Sequence, residues 1–206
     1  MIAVVDYGVG NLFSLMAALK ACGAQAELTA DTGQIAGASH VILPGVGAFG
    51  DAAQSLRDAG LWDALIMKAA SGAPLMGICL GMQLMMARSF EFGEHRGLGL
   101  IPGDVVPLLG WVTEKTKVPH TGWNALTLTE NPGPLFLHTQ DGAHVYFVHS
   151  FAAQPGPYVT ATAEYSVPVP AAVGRGNVMG CQFHPEKSGP AGLTILRDFL
   201  SIGGRV

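Results

Sequence analysis

Short runs of consecutive apolar residues, each ended by Gly or Pro, recur through the first half of the chain. Such runs are typical of strands buried on both faces, and three are predicted as strands: residues 2–6, 40–43 and 74–79. Apolar side chains at helical spacing predict three helices: residues 11–21, 51–70 and 82–88. The alternation predicts a parallel sheet with helices on both faces.

The second half of the chain has a different pattern. From residue 103 to residue 178, shorter β-rich stretches are broken by Gly and Pro, which favours antiparallel or mixed strands, among them residues 125–128, 144–149 and 159–163. Residues 179–183 predict a further strand, and residues 192–200 predict a closing amphipathic helix. With no repeat and no linker, residues 1–206 are interpreted as one α/β domain with a central mixed, mostly parallel sheet flanked by helices.

Composition agrees with a globular fold. Hydrophobic residues make up 49% of the 206-residue chain and charged residues only 13%, which argues against disorder. So few charges favour a surface patch that a partner chain covers. The net charge is −4 and no Lys/Arg-rich run occurs, so nucleic-acid binding is not indicated.

The setting predicted from the sequence is the cytoplasm. No apolar run approaches the roughly 20 residues of a membrane helix, so no membrane association is expected, and the N-terminus lacks the features of a signal peptide. Three widely spaced cysteines, Cys22, Cys79 and Cys181, indicate neither a disulfide framework nor a zinc site. We therefore expect a reducing compartment, no metal and no cofactor.

One of these cysteines lies in an unusual local sequence. Residues 77–81 read Gly-Ile-Cys-Leu-Gly and join a predicted strand to a predicted helix. This is the cysteine counterpart of the G-x-S-x-G elbow, which thrusts its central side chain out at the end of a strand. The helix N-terminus that follows would favour a thiolate and a nearby oxyanion. Cys79 is thus a candidate nucleophile, although a small buried core cysteine is the alternative.

A thiol nucleophile needs a base, and one candidate follows the predicted strand 179–183. His184 stands directly after that strand, and Glu186 lies two residues further on, with Pro185 stiffening the link. A carboxylate in that position can orient an imidazole and stabilise its protonated form. The alternative is a surface His-Pro-Glu turn without a catalytic role.

A third candidate is the Gly-rich segment 44–49, which follows the predicted strand 40–43. A loop of this kind can expose backbone N–H groups to an oxyanion, although an ordinary βα turn would have the same composition. It lacks the Gly-Lys-Ser/Thr ending of a phosphate-binding loop. A dinucleotide fingerprint starting at Gly8 is also not indicated, because Phe13 occupies the position of its third glycine.

Together these motifs resemble the class I, triad-type glutamine amidotransferases, a family with a flavodoxin-like α/β domain. Four further stretches make the chain similar to the glutaminase subunits of imidazole glycerol phosphate synthases: residues 6–12, 119–124, 147–150 and 184–188. The resemblance runs in order from about residue 2 to residue 200.

The resemblance implies a function in histidine biosynthesis. Cys79 would attack the side-chain amide of glutamine and form a glutamyl thioester, with His184 as general base and acid and Glu186 as its orienting carboxylate. The backbone amides of Val46 and Leu80 would form the oxyanion hole. The substrate would be held by three further residues: Gly45, Gly47 and Gln83.

A partner is also implied. In the family, ammonia passes to a cyclase subunit with a (β/α)8 barrel, which makes imidazole glycerol phosphate and aminoimidazole carboxamide ribotide. The resemblance implies a heterodimer with four interface residues in this chain: Asn11, Trp123, Tyr146 and Lys187. No role in the chemistry is assigned to His120 or His149, which could assist substrate placement or interface packing.

Three other functions remain open from the sequence. A different triad-type amidotransferase, such as the glutaminase of anthranilate synthase, would share the chemistry but not residues 6–12 and 119–124. A cysteine hydrolase or peptidase on a similar fold would explain Cys79 and His184 but not the whole set. A non-catalytic scaffold subunit is disfavoured because all three candidate triad residues are present.

Overall fold

A nine-stranded mixed sheet runs through the computed structural model, which describes residues 1–203. The spatial order of its strands is β2-β1-β3-β4-β13-β12-β11-β8-β9. Their bounds are β1 Ile2–Val5, β2 Ala26–Thr29, β3 His40–Leu43, β4 Leu75–Ile78, β8 His120–Leu128, β9 His144–His149, β11 Val159–Glu164, β12 Pro168–Arg175 and β13 Val178–Cys181. The strands from β2 to β13 in this order are parallel, and β12, β11, β8 and β9 add antiparallel pairings.

Within residues 1–203, six α-helices and a second, smaller sheet accompany the main sheet. The helices are α1 Leu12–Ala21, α2 Thr32–Gly37, α3 Phe49–Asp58, α4 Leu61–Ala70, α5 Leu80–Met85 and α6 Gly189–Ser201. The small sheet has the order β10-β7-β5-β6, with β5 Arg88–Ser89, β6 His95–Arg96, β7 Asp104–Pro107 and β10 Phe151–Ala153. The predicted single α/β domain with a mixed sheet is confirmed.

Both faces of β1, β3, β4 and β13 are buried, which explains their apolar sequence. Along β1, Val4 belongs to one apolar cluster and Val5 to the other, because successive side chains of a strand point to opposite faces. Ile42 and Leu43 divide in the same way along β3. All four side chains are fully buried, and each contributes about 1.5–3 kcal/mol of hydrophobic stabilisation.

Two predicted helices need correction, and two elements directly after α1 were not predicted. The single helix predicted over residues 51–70 is two helices, α3 and α4, because Gly60 adopts a left-handed conformation with φ 70° between them. The helix predicted over residues 82–88 spans Leu80–Met85, and Arg88 belongs to β5. The edge strand β2 and helix α2 were not predicted, because two of the four β2 residues are exposed and the strand has no long apolar run.

The sheet order places three chain segments at one edge. Strands β3, β4 and β13 are adjacent and parallel, so their carboxyl ends meet there. The residues that follow them are those of segment 44–49, Cys79 and the segment from Gln182 to Glu186. Ligands of open α/β sheets bind at this edge.

Candidate active site

Cys79 occupies a strained turn between β4 and α5. Its φ of 55° and ψ of −112° lie outside the regions that non-glycine residues normally adopt. The turn is held because the Cys79 N–H donates a 2.7 Å hydrogen bond to the carbonyl oxygen of Cys181 on β13. Strain of this kind persists only where the surrounding structure fixes the backbone, and it is concentrated at functional sites.

Glycine is required on both sides of the turn. A Cβ built at Gly77 would lie 2.6 Å from Cα of Met82, and one at Gly81 would overlap the carbonyl oxygen of Leu43. Backbone from β3 and α5 therefore approaches the elbow too closely for any side chain. The glycines of the sequence motif are explained by this packing.

The His184 imidazole is held by Glu186. Nδ1 of His184 lies 2.8 Å from Oε1 of Glu186, and both side chains are only 3% exposed. A 3-10 turn over Pro185–Lys187 brings the carboxylate back to the ring. Burial alone would lower the pKa of His184, but interactions with Cys79 and Glu186 outweigh it and raise the pKa to about 9. His184 is therefore suited to carry a proton near neutral pH.

Cys79 and His184 line the same cavity, whose volume is about 280 Å³. Its walls come from the loops at the sheet edge and from β9 and β10: Val46, Gly47, Cys79, Leu80, Gln83, Glu91, Val148, His149, Ser150, Phe151 and His184. Among the described residues, the buried Nε2 of His184 has no hydrogen-bond partner. Catalytic hydrogen bonds are often long or poorly aligned before substrate binds, so this geometry is compatible with a base that acts on the thiol.

The Gly-rich segment 44–49 lies directly against the elbow. Oη of Tyr7 donates a 2.8 Å hydrogen bond to the carbonyl oxygen of Pro44, and a Cβ at Gly45 would lie 2.8 Å from that Tyr7 oxygen. Gly47 has φ 98°, a conformation that favours glycine. Val46, 40% exposed, and Leu80 at the start of α5 both border the cavity that Cys79 lines.

Gln83 borders the cavity, but part of its side chain is already engaged. Its Nε2 donates to the carbonyl oxygen of Phe151 at 2.9 Å and to Oε1 of Gln182 at 3.0 Å. Gln182 is fully buried, and its Nε2 lies 3.7 Å from Sγ of Cys79. The sequence interpretation assigned no role to Gln182, although it lies only two residues before His184.

A buried carboxylate was also missed. Glu91 is 9% exposed and lines the cavity, and its Oε2 accepts a 2.7 Å hydrogen bond from the backbone N–H of Phe49 at the start of α3. Burial raises the pKa of Glu91, while this hydrogen bond lowers it. In the sequence Glu91 stands between Phe90 and Phe92, and nothing else in that stretch marks it as a site residue.

The two histidines left without a role are joined to each other beside the cavity. Nδ1 of His120 lies 3.0 Å from Nε2 of His149, and Nδ1 of His149 lies 2.9 Å from the carbonyl oxygen of Phe151. Burial lowers the pKa of His149 to about 3, so its ring is neutral and donates through Nδ1. This pair anchors the same carbonyl that Gln83 contacts.

Three of the four predicted interface residues lie close together. The rings of Trp123 and Tyr146 are 5.9 Å apart on paired positions of β8 and β9, and Nζ of Lys187 lies 5.9 Å from the Tyr146 ring. Trp123 is 54% exposed. Asn11 precedes α1 and borders a small void with His184 and Glu186. This surface is thus adjacent to the candidate triad.

Over residues 1–203, no group of three or more His, Cys, Asp or Glu side chains is arranged to hold a metal ion. All three cysteines are free thiols. Within the same described part of the chain, no helix has the length and apolar character needed to span a membrane.

Comparison with known proteins agrees with this geometry. The family model described as "Glutamine amidotransferase class-I" matches residues 3–202. The chain therefore belongs to the class-I glutamine amidotransferases. It is 47% identical to the imidazole glycerol phosphate synthase subunit HisH of Geobacillus kaustophilus over 206 residues, which cover 98% of this chain and 97% of that protein. The subunit HisH of Carboxydothermus hydrogenoformans is also 47% identical, over 96% of this chain and 98% of that protein.

Solved structures share the fold at much lower identity. A crystal structure of a glutamine amidotransferase superposes with a TM-score of 0.75 at 20% identity, covering 98% of each chain. The structure of PurLQS from Thermotoga maritima gives 0.76 at 21% identity, covering 97% of each chain. These likenesses confirm the α/β fold predicted from the sequence.

Proposed function

We propose that this chain is the glutaminase subunit of an imidazole glycerol phosphate synthase and hydrolyses glutamine to glutamate and ammonia. The observation that carries the proposal is the shared cavity of Cys79 and His184, with Glu186 bonded to the far side of the imidazole. The relatives named as subunit HisH support the assignment to this synthase. Residues 1–206 form one glutamine amidotransferase type-1 domain, which the family match over residues 3–202 supports.

The first half of the reaction makes a thioester. Sγ of Cys79 attacks the carbon of the glutamine side-chain amide, and the backbone N–H groups of Val46 and Leu80 stabilise the oxyanion that forms. The carbon–nitrogen bond then breaks, and His184 gives its proton to the departing nitrogen, which leaves as ammonia. Glu186 keeps the ring oriented and stabilises its protonated form.

The second half releases glutamate. A water molecule attacks the thioester carbon while His184, now neutral, takes a proton from that water. The carbon–sulfur bond breaks, and the Cys79 thiolate is restored. The raised pKa of His184 supports this role, because the ring must hold a proton at neutral pH before the carbon–nitrogen bond breaks.

The cavity also provides groups for the rest of the substrate. Gly47 lines the cavity without a side chain, and Gly45 borders a small void beside His184. The Oε1 atom of Gln83 is not used by the bonds its nitrogen makes. The Glu91 carboxylate complements the α-ammonium group of glutamine, because a buried carboxylate gains a charge-assisted hydrogen bond from it. The groups that line the cavity and its volume of about 280 Å³ suit a short amino acid with a side-chain amide.

The partner is a cyclase subunit with a (β/α)8 barrel, and the two subunits form a heterodimer. Ammonia passes directly to the cyclase, which makes imidazole glycerol phosphate and aminoimidazole carboxamide ribotide in histidine biosynthesis. The interface residues are Asn11, Trp123, Tyr146 and Lys187. Their position beside the triad supports docking close to the point at which ammonia is released. The complex acts in the cytoplasm, and the three free thiols support a reducing compartment.

Glutamate release from glutamine tests the proposal. It is measured with the chain alone, with the cyclase subunit, and with the cyclase subunit plus its phosphoribulosyl substrate. We expect low activity alone and strong stimulation in the third case. Absence of glutamate in all three, with a formed complex, would remove the glutaminase assignment. Strong activity that the partner leaves unchanged would keep the triad but reject the assigned synthase.

A further inference from the structure

A chain of side-chain amides leads from a backbone carbonyl to the sulfur of Cys79. The carbonyl oxygen of Phe151 accepts from Nε2 of Gln83 at 2.9 Å, and the same nitrogen donates to Oε1 of Gln182 at 3.0 Å. Nε2 of Gln182 then lies 3.7 Å from Sγ of Cys79. Both glutamines are at most 4% exposed, so water does not compete for these bonds.

The Phe151 carbonyl fixes the direction of every hydrogen bond in this series of amides. A main-chain carbonyl can only accept, so Gln83 must present its nitrogen to Phe151. The second hydrogen of that nitrogen needs an acceptor, which Gln182 supplies with its oxygen. Rotating the Gln182 amide by half a turn would place two nitrogens 3.0 Å apart as facing donors and would aim an oxygen at the sulfur. Gln182 is therefore held with an N–H group directed at Cys79.

The Phe151 carbonyl is itself held in place. The neutral His149 ring donates to it from Nδ1 at 2.9 Å, and β10 fixes the Phe151 backbone against Pro107 of β7. A carbonyl with two donors stays in one orientation, so the polarity that it imposes on the amides is stable. A donor aimed at sulfur favours the negatively charged thiolate over the neutral thiol, because hydrogen bonds to an ionised acceptor are the stronger ones.

We propose that Gln182, oriented by Gln83 and the Phe151 carbonyl, is a positioning residue that holds Cys79 as an aligned thiolate before glutamine arrives. This role for Gln182 extends the proposed glutaminase function and matters for catalysis only if that function is correct. The contribution is separate from the His184–Glu186 pair, since none of the hydrogen bonds made by the two glutamines involves those two residues.

The test follows the alkylation of Cys79 by iodoacetamide, with mass spectrometry of the Cys79 peptide so that the half-exposed Cys22 does not contribute. Gln182→Leu removes the donor, and Gln182→Met removes it while keeping the length of the side chain and adding no charge. Gln54→Leu, an exposed glutamine paired with Asp58, is the control. All proteins are measured near pH 7 and near pH 10, in the full chain and in its complex with the cyclase.

We expect both Gln182 variants to be alkylated about tenfold more slowly than wild type near pH 7 but at close to the wild-type rate near pH 10, because the higher pH favours the thiolate with or without the donor. Gln83→Leu should shift the pH 7 rate in the same direction, and the double variant should be no slower than Gln182→Leu, because both act through one bond. Gln182→Met gives the result if the leucine variant does not fold.

A ratio of pH 7 to pH 10 rates equal to wild type would overturn the proposal. Equal slowing at both pH values would overturn it too, because it would indicate blocked access rather than a changed thiolate population. Alkylation needs no glutamine, so a failure of this inference is distinguishable from a failure of the proposed glutaminase function.

Discussion

The backbone of Gly81 lies against the carbonyl oxygen of Leu43 so closely that a Cβ at Gly81 would overlap that oxygen. Leu43 ends β3, and Gly81 is the second residue of the helix that follows Cys79. This contact sets how far the loop after β3 stands from the elbow. The spacing between the two proposed oxyanion donors, the Val46 and Leu80 amides, therefore depends on a position that must lack a side chain.

Replacing this glycine should damage both stability and catalysis. We expect Gly81→Ala to lower the free energy of unfolding by about 1–3 kcal/mol, because overpacking against backbone forces a shift. Glutaminase activity in the complex should fall further than stability explains. Chemical denaturation and glutamate release measure the two effects. Gly37→Ala, which meets open space at the end of α2, is the control. Wild-type stability of Gly81→Ala would contradict the contact.

Removing the nucleophile should separate the two activities of the complex. We expect Cys79→Ala to lower glutamine-dependent turnover at least about a thousandfold, because no thioester forms. Turnover with added ammonium salt should persist, since the cyclase does not need the glutaminase chemistry when ammonia is supplied. Cys181→Ala, which alters the other buried thiol, should retain glutamine-dependent turnover. Loss of ammonium-dependent turnover in Cys79→Ala would instead indicate a failure of assembly.

The Glu91 carboxylate should affect substrate binding more than chemistry. We expect Glu91→Gln to raise KM for glutamine about tenfold or more with a smaller change in kcat, because the amide can still accept from Phe49 but offers no charge to an ammonium group. Steady-state kinetics of the stimulated complex provide the measurement. Glu130→Gln, at an exposed position, is the control. An unchanged KM would reject Glu91 as a substrate contact.

The raised pKa of His184 predicts a defined pH dependence of stability. A group whose pKa rises from 6.5 to about 9 on folding stabilises the protein fully below pH 6.5, and this contribution is lost as pH rises through 9. The difference in unfolding free energy between wild type and His184→Gln should therefore shrink by on the order of 1–3 kcal/mol between pH 6 and pH 10. Denaturant titrations at both pH values measure it, with the exposed His144→Gln as control.

A constant difference across that range would show that folding does not raise the pKa of His184. The glutaminase rate should follow the same group, because the ring must be protonated when ammonia leaves. We therefore expect the glutaminase rate of the wild type to decline at high pH.

Trp123 should contribute to docking of the cyclase. We expect Trp123→Ala to weaken the heterodimer about tenfold or more, since exposed aromatic residues are frequent hot spots at interfaces. Calorimetric titration with the cyclase subunit measures the affinity. Met67→Ala removes a side chain that is 66% exposed on α4 and should leave the affinity unchanged. Equal affinities of wild type and Trp123→Ala would move the interface elsewhere.

Much of the parallel half of the fold could be predicted from the sequence. The strands β1, β3 and β4 lie within the runs predicted as residues 2–6, 40–43 and 74–79, because strands buried on both faces need uninterrupted apolar sequence. The small sheet could not be predicted, since strands such as β5 and β6 have two residues each and no recognisable period. The break at Gly60 was missed because the apolar spacing continues on both sides of it.

The candidate site likewise has features that the local sequence predicts and others that depend on contacts between distant segments. The glycines around Cys79, the Pro185 link between His184 and Glu186, and the Gly-rich segment 44–49 are local features, which residues close together along the chain specify. The pairing of β13 with β4 is seen only in the folded chain, and it brings His184 to the cavity of Cys79 from more than one hundred residues away. The tertiary structure also directs Gln182 at the thiol and Glu91 into the cavity. These relations depend on which strands and loops become neighbours, and short-range patterns of hydrophobicity contain no information about pairings between distant parts of the chain.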